Sequence, residues 1–238
     1  MIDVAGMFWA AADFAVYQRP ELAGPALLPT RLASAAAQTL RADGVSVSVP
    51  VVLGSVNVLQ VPLGSSNEVA AEAERLQFTT AEGPCVTAYA DQEPIMATRA
   101  VLALSWPVFA VQLALRTPFR SVYATPVRGA GVMAVYFLEA DECRAVDVDD
   151  AAEISEIIGR ALSGSGLCYD HGWLPRLAAQ NRRLQVGIAM GMLSRAQDLT
   201  VADALAVLRA HAFVTDRTVD DVADDVVTGA LPLEELNP

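Results

Sequence analysis

The chain has 238 residues, 53% of them hydrophobic and 18% charged, with a formal net charge of −12 and a sequence pI near 4.5. That composition describes a folded chain rather than a disordered one, and the length suits one sensor-sized domain plus a small appendage, each with its own core. No apolar run reaches the roughly eighteen residues a membrane span needs, and MIDVAGMFWA lacks the basic start and cleavage pattern of a signal peptide, so a cytoplasmic protein with no membrane partner is expected.

Residues 1 to 29 hold an apolar helical arm, roughly Val4 to Tyr17, closed by Arg19-Pro20 and a turn region around Gly24-Pro25 and Pro29. Its four aromatics, Phe8, Trp9, Phe14 and Tyr17, need a partner surface, supplied either by the same chain or by a second subunit. Thr30 is placed to cap a helix through about Leu40. After Gly44, valine alternates with serine up to a Leu53-Gly54 turn and alternates again through Val61, which predicts a hairpin with one wet face. An Ala- and Glu-rich helix near Asn67 to Gln77 follows, then the loop Ala81 to Cys85 and a helix over about Val86 to Asp91.

Pro94 to Ala97 reads as a short strand, Trp106 to Leu115 as a helix, and Arg120 to Val127 with Gly131 to Phe137 as a hairpin. Asp147 opens an amphipathic helix with Ile154, Ile157, Ile158 and Leu162 on one face. Strands flanked by helices with hairpins at each end predict an antiparallel sheet covered by helices, an α+β sandwich, over residues 30 to 162. A Ser163-Gly164-Ser165-Gly166 joint begins a linker, residues 163 to 173, before an all-α part, residues 174 to 238.

That last part reads as a long helix from about Leu174 to Arg195 and two short ones. Thr200 with Asp203, and Thr218 with Asp221, have the Thr-x-x-acid form of a helix start. Val201, Leu205, Leu208 and Ala212, then Val219, Val222, Ala223, Val226 and Val227, give each short helix one apolar face. Gly229 and Pro232 stop the last. Helices of about ten residues are marginal alone and must pack on the long one. A seven-residue recurrence through Trp173, Leu177, Leu184 and Gly191, with Ile188 alongside, is either a dimer seam or the side facing the short helices, and a homodimer is expected.

An acidic total argues against nucleic-acid binding, but distribution outweighs the sum. From Arg176 to Arg217 there are six arginines against Asp198, Asp203 and Asp216, a local excess of 6 − 3 = 3 positive charges, and the chain contains no lysine. Arg182, Arg183, Arg195, Arg209 and Arg217 are the candidate cationic contacts, with His211 and Thr218 secondary. Arg176 and Arg183 share a helix face, and Arg195 lies about 18 Å further along the axis. The competing explanation is a solvated helix face, with Arg209 paired to Asp220 or Asp221.

The order Arg183, Val186, Ala189, Gly191, Leu193, Arg195, then Ala204, Leu208, Arg209, Ala212, then Arg217, Val222 and Ala223 resembles the ANTAR family of transcription antitermination regulators. The resemblance covers about Leu177 to Gly229 and implies a three-helix module that binds paired RNA hairpins in a nascent transcript. The chain has Ile188-Ala189-Met190-Gly191 where relatives commonly carry Gln-Ala-Lys-Gly. Upstream, Glu82-Gly83-Pro84-Cys85, Trp106-Pro107, Arg120-Ser121-Val122 to Pro126-Val127 and the strand Gly131 to Tyr136 are similar to GAF sensor domains of the kind often fused to ANTAR modules, which implies a GAF-like fold; some such domains hold a small-molecule ligand and many have none known, and the fold does not decide between these. No cofactor is assigned.

Tyr89, Trp106, Phe109, Tyr123 and Tyr136 are the candidate pocket aromatics, and they serve equally as core. Cys85 follows a Gly-Pro turn at a helix start, where the dipole lowers a thiol pKa and favours redox chemistry; a plain buried cysteine is the commoner outcome. Cys85, Cys143 and Cys168 form no paired metal spacing, and two histidines, His171 and His211, are too few for a metal cage. With no phosphate-cradling glycine loop and no paired catalytic carboxylates, an enzyme is not expected.

Overall fold

In the computed structural model, residues 3–53, 56–129, 131–165 and 182–236 are described. Valine-rich segments build one five-stranded antiparallel sheet: β1 (Gly44–Leu53), β2 (Val56–Ser65), β3 (Ile95–Ala97), β4 (Ser121–Val127) and β5 (Gly131–Phe137), in the order β2-β1-β5-β4-β3. Both faces of the sheet are covered, which is why β4 and β5 read as nearly continuous apolar runs instead of alternating. Gly131 has φ +126°, and a Cβ there would sit 2.0 Å from the Ser48 carbonyl oxygen, so only glycine lets β5 lie against β1.

One face carries α1 (Val4–Gln18), α2 (Leu28–Thr39) and α7 (Val148–Gly164), whose Phe8, Leu32, Ile154 and Ile158 pack on Val45, Val47, Met133 and Val135. The other carries α3 (Glu68–Thr80), α4 (Pro84–Asp91), α5 (Arg99–Ser105) and α6 (Pro107–Arg116), with Leu76, Phe109 and Leu113 against Val122, Ala134 and Tyr136. The chain ends in α8 (Arg183–Gln197), α9 (Val201–Val214) and α10 (Val219–Thr228). Asp147, Thr200 and Thr218 cap α7, α9 and α10 as their sequences predict. The α10 cap is a full capping box with Asp221, and Gly229 ends that helix in the left-handed region.

Several expectations need correction. The second helix starts at Leu28, not at Thr30, because Pro29 fits the first turn of a helix and Thr30 lies inside it. The hairpin's expected wet face is not wet: Ser46 and Ser48 are buried, with α3 packed against β1, and Ser46 Oγ lies 3.4 Å from the Tyr136 hydroxyl. A helix at Arg99–Ser105, capped by Thr98, was not anticipated. In the arm, Val4, Phe8, Ala11, Ala12 and Ala15 face the chain's own core, whereas Met7, Trp9, Phe14 and Tyr17 remain exposed.

The helical part does not close its core alone. Val186, Leu193, Leu205, Leu208, Val222 and Val226 form a third apolar cluster that also contains Val61 of β2 and Phe78 of α3. On α8 the buried positions are Arg183, Val186, Ala189, Met190 and Leu193, so Leu184, Ile188 and Gly191 do not form the side facing α9 and α10. Trp173, Leu174, Arg176, Leu177 and most of the linker lie outside the described residues.

Candidate functional site

The arginines singled out from sequence converge on the junction between α3 and the C-terminal helices. At the first turn of α8, Arg183 projects toward β2 and α3 and is wholly excluded from solvent, with 0% exposure. Its Nε donates to Asp220 Oδ1 at 2.8 Å, its Nη2 donates to Glu74 Oε2 at 3.1 Å, and its Nη1 donates to the Gln60 carbonyl. The guanidinium carbon lies 3.7 Å from the centre of the Phe78 ring, within cation–π range. Glu74 and Asp220 are themselves 2% and 1% exposed, so the ion pairs are dry.

Burial raises the Glu74 carboxyl to about 7, against the lowering influence of Arg183, and the nearby Asp220 charge adds to the rise. For Arg183 itself, burial disfavours its charge, but the two carboxylates outweigh it and hold the guanidinium above its ordinary value. One oxygen of each acid, Glu74 Oε1 and Asp220 Oδ2, is buried with no hydrogen-bond partner among the described residues. Two carboxylates thus share one guanidinium with acceptor capacity left over.

Other side chains secure the junction. Arg209 of α9 lies over Phe78, 4.9 Å from its centre, and its Nε donates to the Phe78 carbonyl at 3.2 Å, so the expected pairing with Asp220 or Asp221 does not occur. Burial and the Arg183 charge hold Arg209 down at about 10. The Val219 N–H, which as a first-turn donor has no partner within its own helix, donates to Thr79 Oγ1 of α3 at 3.1 Å. Arg116 of α6 bridges Glu72 at 3.3 Å and the Asp216 carbonyl.

The remaining candidates are placed as follows. Arg182 is half exposed and pairs with Asp221 at 2.8 Å and Asp224 at 3.6 Å. Burial would raise Asp221, but hydrogen bonds from Thr218 and the charge of Arg182 bring it below its usual value. Arg217 pairs with Asp225 at 2.7 Å and donates to the Asp221 carbonyl. Thr218 is buried as the cap of α10, and His211 is half-buried on α9. Arg195, in the last turn of α8, is exposed and makes no ion pair among the described residues. In this conformation Arg183 offers no surface to a nucleic acid, because burying it in α3 serves packing and charge compensation.

The five aromatics do not line one cavity. Tyr123 points to the face covered by α1, α2 and α7, while Phe109 and Tyr136 belong to the opposite face with Tyr89 and Trp106 at its margin. An open groove of about 620 Å3 lies elsewhere, between Arg19, Leu22, Asn67, Arg75, Arg182 and Asp220. Cys85 is not an activated thiol. It is buried, and burial pushes its pKa up to about 12 despite the Gln77 Nε2 donor 3.1 Å from Sγ.

The Glu82-Gly83-Pro84-Cys85 motif is a structural knot. Glu82 Oε1 accepts from the Phe109 N–H at the start of α6, at 2.7 Å. Gly83 has φ +142° against the Gln77 amide, Pro84 begins α4, and Cys85 N–H donates to Gln77 Oε1 at 2.9 Å. Sequence reasoning missed Glu74 and Gln77. Both lie in an Ala- and Glu-rich helix where a surface role is the ordinary reading, and only the absence of a nearby basic partner for Glu74 at helix spacing hinted otherwise.

No family model and no curated protein matches the chain. Among solved structures, the chain is similar to the GAF domain of a phosphoenolpyruvate-protein phosphotransferase from Coxiella burnetii, at 12% identity and a TM-score of 0.42, covering 69% of this chain and 96% of that one.

Proposed function

We propose that this chain is a cytoplasmic, homodimeric regulator of transcription antitermination, in which a GAF-like α+β domain senses a small-molecule signal and controls an ANTAR-like three-helix module that binds paired RNA hairpins. No catalytic role is assigned. The observation that carries the reading is the concentration of Arg182, Arg183, Arg195, Arg209 and Arg217 on the C-terminal helices of a chain with net charge −12, two of them gripping α3 of the α+β domain. Docking through those side chains gives the α+β domain a physical means of governing the helices.

The test is an electrophoretic shift with a two-hairpin RNA, comparing the natural chain with an Arg182→Ala/Arg195→Ala variant, which removes the two most exposed guanidinium groups without touching the buried one. Phosphate contacts release counterions, so binding should weaken steeply with salt, and the variant should show a salt slope lower by roughly 1 to 2. Identical shifts for both proteins, or no shift at low salt, refute it.

A second reading is favoured by one feature of α8. Of the two positions where relatives commonly carry an amide and a cation, Ile188 stands exposed, as does the neighbouring Met192, while Met190 is buried; Arg182 and Arg217 are already paired with aspartates of α10. On this reading the helices bind a partner protein; a pull-down that survives ribonuclease supports it.

A further inference from the structure

The junction described above holds two acids for one cation in a dry site, and it holds the only buried arginine of the described chain between elements that belong to different parts of the fold. Glu74 comes from α3 and Asp220 from α10, so the pairing exists only while the C-terminal helices are docked. We propose that Glu74, Arg183 and Asp220 form a proton-operated latch: with a proton on Glu74 the helices stay docked and Arg183 and Arg209 are kept from RNA, and loss of that proton loosens the docking. The masking half of this proposal rests on the RNA-binding reading; the latch itself does not.

Geometry supplies the reason. With both acids ionised, Arg183 compensates one charge and the second remains buried, while Glu74 Oε1 and Asp220 Oδ2 have no donor among the described residues. A proton on Glu74 removes the excess charge and gives Oε1 or Oε2 a hydrogen of its own. Other groups bear on Glu74 from each neighbouring element: Arg75 from α3, Arg183 from α8, Asp220 from α10, and the neutral Cys85 and Tyr136 from α4 and β5. Arg209 of α9 acts on Arg183 across Phe78.

Docking takes Glu74 from the ordinary value of 4.5 to about 7, so the docked state binds the proton more tightly than the released one. A raised carboxyl contributes stability that is complete below about 4.5 and is lost as pH rises through about 7. Between pH 6 and pH 8 the docking equilibrium should therefore weaken about tenfold.

The Val219 amide reports docking directly, since its acceptor is Thr79 across the junction. Its hydrogen-exchange protection factor, which divides out the intrinsic pH dependence of exchange, is measured at pH 6 and pH 8 on the full chain, with Val135 of β5 as the internal reference. Protection at Val219 should fall about tenfold in the natural chain, hold steady in Glu74→Gln, and show a reduced slope in Asp220→Asn, while Val135 is unchanged. Any slope from another titrating group would survive in Glu74→Gln. Flat protection in the natural chain, or the same slope in both natural chain and Glu74→Gln, overturns the latch. A two-hairpin RNA is then titrated at both pH values and fixed ionic strength, with tighter binding expected at pH 8. Equal binding at both values while Val219 responds overturns the masking, and no RNA binding at either value while Val219 responds leaves the latch standing and removes the RNA reading.

Discussion

Replacing Arg183 with alanine separates a structural arginine from a solvated one. The side chain makes two dry ion pairs, a bond to the Gln60 carbonyl and a stacking contact at 3.7 Å with Phe78. Removing one member of a buried pair leaves the other charge uncompensated, which costs about 3–5 kcal/mol, and here two carboxylates are left together. A surface arginine would cost no more than about 0.5 kcal/mol. Urea denaturation followed by circular dichroism at pH 7.5 should give the larger figure, and thermal unfolding a drop of roughly 6–20 °C. At pH 5 the loss should shrink, because Glu74 can take up a proton. Neutralising both acids in the same chain, as Glu74→Gln with Asp220→Asn, should recover more than half of it. A cost below about 1 kcal/mol at pH 7.5, or a cost independent of the two acids, would refute the buried-clamp description.

Phe78→Leu keeps apolar volume but removes the ring under Arg183 and Arg209, and urea denaturation should show a loss of about 1–2 kcal/mol that shrinks, leaving the Arg209 share, when Arg183 is absent. Thr218→Val removes the hydroxyl of the α10 capping box and should cost about 1 kcal/mol, read by the same titration. Gly131→Ala should prevent native pairing of β1 with β5, since its Cβ would fall 2.0 Å from the Ser48 oxygen; loss of the native circular dichroism signal checks this. Iodoacetamide should leave Cys85 unlabelled in the native chain through pH 9 and label it in urea, with peptide mass spectrometry reading the site, because its thiol is buried and held near 12.

Local signals carried most of what the sequence revealed. The caps at Asp147, Thr200 and Thr218 and the stop at Gly229 depend on residues within one helical turn, and they occur where their patterns place them. The α+β order was legible from alternation and turns for the same reason. What stayed hidden was long-range. Spacing places Arg183 on a helix face but says nothing of Glu74, 109 positions earlier, so the side chain that looked like an RNA contact is a buried clamp. The serines of β1 misled because alternation normally marks a solvated face, and here α3 packs against β1 and both serines are buried. The aromatic pocket failed because adjacent strand residues point to opposite faces, which separates Tyr123 from Tyr136 across the sheet.

Phe78 belongs to α3 by sequence and to the C-terminal helices by packing. A fragment cut at residue 182 would leave behind the ring and the carboxylate that its first arginine requires. Grafting the helices onto a foreign sensor should therefore succeed only when α3 travels with them, and across related chains Glu74, Phe78, Arg183 and Asp220 should exchange as a set rather than one at a time.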